Sequence, residues 1–176
     1  MYILGIDPGT STVGVSLLKL DESFNVKERE SILIDVTKTG YVNRLNNKTD
    51  YKLAIIHNRI TDIIRKFKPI SMVIEMPFFN PRRPQAVIPL ARSLQAIMGA
   101  MVISNPNVPI VRPSPSNIKN AVGVKGNSGD KDEMTQAVLK LGLCDGDESE
   151  HEIDAIAANY YLLNLLKVNY MLPYLR

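Results

Sequence analysis

The sequence lacks tryptophan altogether and has a single cysteine and two histidines among its 176 residues. One thiol cannot form an internal disulfide, so Cys144 is expected to be reduced and the protein to be cytoplasmic. One cysteine and two histidines are also too few for a structural zinc site with four such ligands. No apolar run approaches the roughly 20 residues of a membrane helix, and Met1 leads directly into a strand pattern. We therefore expect neither a membrane partner nor a signal peptide.

Hydrophobic residues make up 45% of the chain, which is typical of a globular protein. The length allows one compact domain with a proper core, so we expect a single domain over residues 1–176. The formal net charge of +3 fits a nucleic-acid partner but is weak evidence for one.

Hydrophobic periodicity predicts three strands in succession, followed by alternating helices and strands. That order indicates an α/β fold with a mixed sheet. The strands are predicted at 2–6, 11–20, 31–36, 70–75 and 108–113, and the helices at 51–67, 87–104, 114–123, 130–143 and 151–167.

Acidic side chains interrupt apolar segments at three places. Asp7 ends the first strand, Glu75 ends the fourth, and Asp154 lies early in the last helix, with His151 one turn before it on the same face. Ligand sites form at strand ends in α/β sheets, so neighbouring first and fourth strands would bring these groups together. Because clustered carboxylates repel one another, the pattern predicts a divalent cation with oxygen ligands, such as Mg²⁺.

Each of these residues also has an ordinary structural explanation. Asp7 precedes Pro-Gly and could simply form a turn, and Glu75 could be held by a salt bridge at a strand end. Asp154 could interact with the helix dipole, and His151 could be a surface or core histidine. Only their joint placement favours a site.

Four segments together resemble the RuvC family of Holliday junction resolvases. They are ILGIDPGTSTVG (3–14), VIEMPFF (73–79), PSNIKNAVGVKGNSGDKDEM (115–134) and HEIDAIA (151–157), and the resemblance runs from residue 2 to about 165. It implies an RNase H-like fold with a mixed five-stranded sheet and helices on both faces. It also implies a homodimeric, metal-dependent endonuclease that resolves Holliday junctions in branched DNA by paired nicks, leaves 5′-phosphates and needs no small-molecule cofactor.

The resemblance assigns the catalytic and metal-binding roles to Asp7, Glu75, His151 and Asp154. His151 stands where some members have aspartate and others histidine, so the last motif resembles the histidine variant. The expected cofactor is Mg²⁺ or Mn²⁺, with two ions per active site. Histidine is an unusual ligand for Mg²⁺ but suits Mn²⁺.

Several further residues are candidates for binding DNA. The resemblance matches Lys119 and Lys131 to two functional lysines, although their separation is one residue longer than in bacterial members, and it matches Phe78 to an aromatic wedge at the crossover. Aromatic and basic side chains suit unstacked bases and phosphates, although such residues can also pack on the core or lie in a solvated loop. The remaining candidates from this pattern are Phe79, Arg82, Arg83 and Lys125.

Three other functions fit part of the sequence. A less selective debranching nuclease, cutting flaps and Y-forks, would share the same fold and acids. An actin-like or sugar-kinase ATPase uses loops similar to IDPGT but needs a second phosphate loop in a much longer chain. A catalytically silent junction-binding protein is disfavoured because all four site residues are present.

Overall fold

The computed structural model describes residues 1–37, 47–77, 85, 87–125 and 131–171. Three strands come first, and helices and short strands then alternate before a long final helix. The strands are β1 (Tyr2–Asp7), β2 (Thr12–Leu20), β3 (Val26–Asp35), β4 (Ser71–Ile74) and β5 (Ile110–Val111). The helices are α1 (Lys48–Phe67), α2 (Val87–Ser104), α3 (Pro115–Ala121), α4 (Lys131–Lys140) and α5 (Glu150–Met171).

The strands form one mixed sheet in the order β3-β2-β1-β4-β5, which confirms the predicted architecture. β2 pairs antiparallel with both β1 and β3, whereas β4 pairs parallel with β1 and β5. In the parallel pair Ile6 lies opposite Ile74, and the Glu75 amide donates to the Ile6 carbonyl at 3.0 Å. Asp7 and Glu75 therefore follow at the same edge of the sheet, because parallel strands end together.

β3 begins at Val26, five residues before the predicted strand at 31–36. Its first half reads VKERE and is largely exposed. An edge strand has a neighbour on one side only and can keep charged side chains in water. The apolar pattern that marks a buried strand is consequently missing from that half.

β5 is only two residues long, although the strand was predicted at 108–113. The carbonyls of Pro109 and Pro113 still accept hydrogen bonds from the Met72 and Met76 amides at 3.0 and 2.9 Å. Proline has no N–H to donate in return, so regular pairing stops on both sides of the short strand.

Helices pack on both faces of the sheet, as predicted. Leu4 and Ile6 of β1 belong to the core that α1 and α2 cover, whereas Ile3 belongs to the core under α3, α4 and α5. Successive side chains of a strand point to opposite faces, so Asp7 shares the face of Ile3. Glu75 lies two positions after Val73, whose side chain also belongs to the core under α5. Both acids therefore point to the face that α5 covers.

Helix α5 packs directly against the sheet backbone at two glycines. A Cβ at Gly5 would lie 2.5 Å from the Ala155 carbonyl oxygen, and the same addition at Gly14 would collide with the His151 carbonyl. The fully buried Asn159 adds a polar anchor, since its Nδ2 donates to the Ser16 carbonyl at 3.1 Å. These contacts determine where the first turn of α5 lies over the sheet.

Helix α2 is the one described helix that is long and apolar enough, by length and composition, to cross a membrane. The expectation from apolar run lengths missed it, because Arg92 and Gln95 interrupt the apolar residues. One side of α2 packs against α1 and the core, and its buried residues are Ser93, Ile97, Ala100 and Met101. The side chains of Ile88, Val102 and Ile103 remain exposed.

The close approach of α5 yields a prediction about Gly5. Gly5→Ala should lower the free energy of unfolding by about 1–3 kcal/mol, because the new methyl group meets backbone that cannot step aside. Gly99→Ala in α2 is the matched control, since a Cβ there meets nothing nearer than 3.9 Å. Alanine is also the better helix former, by about 1 kcal/mol. Urea unfolding measures both variants, and equal stability of Gly5→Ala and the wild type would refute the tight contact.

Candidate active site

Four candidate residues come together where β1 and β4 end. Asp7 is the last residue of β1, Glu75 directly follows β4, and His151 and Asp154 lie in the first turns of α5. His151 Nδ1 is 2.6 Å from Asp7 Oδ2, a hydrogen bond between residues 144 positions apart. The topology thus brings all three acids and the histidine to one edge of the sheet.

The start of α5 is fixed by a capping box between Ser149 and Glu152. The Ser149 amide and hydroxyl donate to Glu152 Oε2 at 3.0 and 2.7 Å, and the Glu152 amide donates back to the Ser149 hydroxyl at 3.4 Å. The other carboxylate oxygen of Glu152 accepts from the Ser31 hydroxyl of β3 at 2.9 Å. A helix cap is thereby tied to the sheet, which holds the first turn of α5 and His151 in place.

Burial and mutual repulsion perturb two of the carboxyl groups strongly. Burial, followed by the charges of Asp7 and Asp154, raises the pKa of Glu75 from its usual 4.5 to about 8. Burial, followed by Asp7 and Glu150, raises the pKa of Asp154 from 3.8 to about 7. Without a cation, these two groups therefore hold protons that carboxyl groups in water would have lost.

His151 is held at both ring nitrogens. Its hydrogen bond to Asp7 raises the pKa of the imidazole, and burial opposes that rise. Its Nε2 lies 2.7 Å from Thr12 Oγ1 at the start of β2. Thr12 was not a sequence candidate, since one threonine after a glycine-containing turn has no distinguishing pattern. The one sequence signal for Thr12 is strand alternation, which places it on the same face of β2 as Leu18 and Leu20 in the core under α5.

The donor set suits a hard or borderline divalent cation, although the side chains are not arranged around one. Within the described ranges, no three His, Cys, Asp or Glu side chains stand as a ready-made metal group. Asp7 and Thr12 also engage both nitrogens of His151. Three carboxylates and one imidazole are nonetheless suitable ligands for Mg²⁺ or Mn²⁺. A cation would also offset the repulsion that raises the two carboxyl pKa values.

Lys119 of α3 is the basic candidate that the structure places beside the acids. Its charge lowers the pKa of both Glu75 and Asp154, against the larger effects of burial and repulsion. Lys125 instead borders a surface cavity of about 620 Å³ beside α4. Lys131 is the first residue of α4. The four loop candidates Phe78, Phe79, Arg82 and Arg83 lie outside the described residues.

This arrangement defines a class of protein. A sheet of three antiparallel strands extended by two parallel ones, with acids at the ends of β1 and β4 and a further acid from a helix across that sheet, is the RNase H-like nuclease fold. The family model described as crossover junction endodeoxyribonuclease RuvC matches residues 3–159. The chain belongs to the RuvC family, and this membership decides against the ATPase alternative.

Individual relatives agree with the family model. A RuvC crossover junction endodeoxyribonuclease of Christiangramia forsetii is 30% identical over 143 residues, covering 80% of this chain and 68% of the relative. The corresponding protein of Bacteroides fragilis is 31% identical over 163 residues, covering 90% and 79%. The solved structure of Thermus thermophilus RuvC with a Holliday junction substrate superposes with a TM-score of 0.77 at 20% identity and covers 96% of both chains. That last likeness supports the fold.

The raised pKa values predict how stability changes with pH in the absence of metal. The unfolded chain releases the protons of these two carboxyl groups near pH 4, whereas the folded chain keeps them until about pH 7 for Asp154 and about pH 8 for Glu75. Between these pH values the folded state therefore binds more protons than the unfolded state. The free energy of unfolding should therefore fall as pH rises from about 4.5 to 8, because stability falls wherever the folded state binds more protons. The raised pKa of His151 acts in the same direction.

Urea unfolding in EDTA across this pH range measures the effect. Glu75→Gln should flatten the curve, because the amide does not titrate. Asp62→Asn on the exposed surface of α1 should leave the curve unchanged. A metal-free wild type whose pH dependence matches that of Glu75→Gln would contradict the assignment of the burial effect to Glu75.

Proposed function

We propose that the protein resolves four-way DNA junctions by hydrolysing phosphodiester bonds in paired nicks, with Asp7, Glu75, His151 and Asp154 as the active site. The observation that supports this most is the convergence of the three acids and the histidine in a member of the RuvC family. The proposed substrate is branched DNA, like the Holliday junction in the structure of the Thermus relative. A cytoplasmic location is part of the proposal, since it fits a DNA substrate and the free thiol of the buried Cys144.

The same four residues would hold the divalent metal. Mg²⁺ is the proposed ion, Mn²⁺ is the alternative that histidine favours, and two ions per site fit hydrolysis of a phosphodiester. Bound cations supply activation of water and stabilisation of the leaving oxygen. His151 represents the histidine variant of the last motif in this proposal.

The residues of the chain prepare the site in other ways. Partial burial of Glu75 and Asp154 reduces their contact with water, which strengthens the charge interactions at the sheet edge. The charge of Lys119 already acts on both acids, so its ammonium group is suited to orient a phosphate that approaches them. We assign the contacts further along the DNA to Phe78 and Lys131 on the family resemblance, and to Phe79, Arg82, Arg83 and Lys125 because aromatic and basic side chains suit bases and phosphates.

A homodimer is part of the proposal, because paired nicks on a two-fold symmetric junction need two matching sites. The exposed face of α2 supports it. The fractional exposures of Ile88, Val102 and Ile103 are 69%, 47% and 73%, which is unusual for three large apolar side chains on one helix. A two-fold axis that packs this face against its copy would remove them from water.

One cleavage assay distinguishes the remaining functions. The protein is incubated with a four-way junction, a Y-fork and a linear duplex, each with EDTA, Mg²⁺ or Mn²⁺. A resolvase should cut the junction symmetrically and far faster than the other two. Comparable cutting of the Y-fork would favour the debranching nuclease, and binding without any cutting would favour the silent binding protein.

Removing any one acid should abolish cleavage. Asp7→Asn, Glu75→Gln and Asp154→Asn should each lower the junction cleavage rate at least 100-fold, because each removes a charged ligand. Junction binding should persist or strengthen, since less negative charge faces the phosphates. Asp62→Asn is the control and should cleave normally. A variant of the first three that cleaves near the wild-type rate would exclude that residue as a ligand.

A charge on the exposed face of α2 should separate the subunits. Ile103→Asp should convert a dimer into a monomer, because packing this face against its copy would bury the new charge without a partner. Val168→Asp, on the 56% exposed side chain of α5, is the matched control and should remain dimeric. Sedimentation velocity measures both. A wild-type monomer at micromolar concentration, or a dimeric Ile103→Asp, would count against this interface.

A further inference from the structure

We propose that Thr12 is a positioning residue for the active site, whose hydroxyl holds the His151 imidazole with Nδ1 facing the acids. The inference rests on the proposed metal-dependent function. It concerns the orientation of one ligand, which family membership does not determine.

The two contacts of the ring lie at opposite ends and allow one orientation. Asp7 Oδ2 is 2.6 Å from Nδ1, and Thr12 Oγ1 is 2.7 Å from Nε2. Turning the ring by half a revolution would exchange each nitrogen for a ring carbon and would lose both hydrogen bonds. Of the two contacts, that of Thr12 lies on the side away from Asp7, so the hydroxyl does not compete with the acids for Nδ1.

Close backbone packing on both sides brings Thr12 to the ring. A Cβ at Gly9 would collide with the Thr12 carbonyl, and a Cβ at Gly14 would collide with the His151 carbonyl. Glycine at position 9 lets the turn before β2 close tightly on Thr12, and glycine at position 14 lets the first turn of α5 approach β2 this closely. Thr12 is also held from the other side, because it pairs with Asp35 across the sheet.

The chemistry of the hydroxyl suits this task. A threonine hydroxyl donates one hydrogen bond and accepts others, so it can partner Nε2 with or without a proton. With Nδ1 as the ligand atom for a cation, the imidazole proton would reside on Nε2 and would be donated to Thr12 Oγ1. Histidine ligands in metal sites commonly need such an acceptor on the second nitrogen. Asp7 cannot supply it, since it contacts the other end of the ring.

The test compares Mn²⁺ affinity among three threonine variants, measured by the electron paramagnetic resonance of free Mn²⁺. Thr12→Val keeps the shape but removes the hydroxyl and should weaken binding by about 10- to 100-fold, the usual effect of losing such a partner. Thr12→Ser should restore affinity to within about threefold of the wild type. Thr61→Val in α1 is the matched control with unchanged affinity, since the buried Thr61 hydroxyl has no partner among the described residues.

A metal-free measurement tests the contact itself. In ¹⁵N spectra of the imidazole groups, recorded on a His57→Gln background so that His151 is the remaining histidine, Thr12→Val should shift the Nε2 resonance. Thr12→Ser should return it towards the wild-type position. An unchanged Nε2 resonance would overturn the proposal, because the hydroxyl would then not contact the ring in solution.

The outcomes separate this inference from the function on which it rests. If the wild type binds Mn²⁺ and Thr12→Val binds it equally well, the role of Thr12 is wrong and the metal site stands. If the wild type binds no Mn²⁺ while Asp7→Asn leaves cleavage intact, the proposed metal site is wrong and the role of Thr12 falls with it. A loss of affinity that Thr12→Ser also shows would point to altered packing and would likewise overturn the proposal.

Discussion

Three carboxyl groups share one partly buried space at the edge of the sheet, and their mutual repulsion is the constraint around which the site is organised. Burial and neighbouring charge raise the pKa of Glu75 to about 8 and that of Asp154 to about 7. A folded protein tolerates such a cluster only when the surrounding structure holds it in place. In the proposed metal site the same repulsion becomes useful, since the charge that destabilises the metal-free fold would bind a divalent cation.

The backbone packing of α5 against the sheet holds the cluster of carboxyl groups in place. Gly5 and Gly14 let the helix lie directly on β1 and β2, and Asn159 joins it to the Ser16 carbonyl. The parallel pairing of β1 with β4 places the other two acids side by side. Large apolar cores on both faces of the sheet stabilise this framework. The destabilising cluster of carboxyl groups is confined to one edge of the sheet.

Much of the fold and the position of the site could be predicted from the sequence, because both depend on local sequence patterns. Acids at the ends of apolar strands indicate a sheet-edge site, and Ser149 and Glu152 have the sequence spacing of the capping box that begins α5. Other features depend on distant contacts. Thr12 meets His151 across 139 positions, and the charged first half of β3 is a strand only because β2 pairs with it. The exposed side of α2 likewise follows from which of its faces packs on α1.

The central claim is that these four residues form one metal-binding site, and a crystal soaked in Mn²⁺ tests it most directly. An anomalous difference map at the manganese edge should show a peak among the carboxyl oxygens of Asp7, Glu75 and Asp154, with the His151 imidazole as a further ligand. No peak at this sheet edge, or a single peak bound by other residues, would contradict the account.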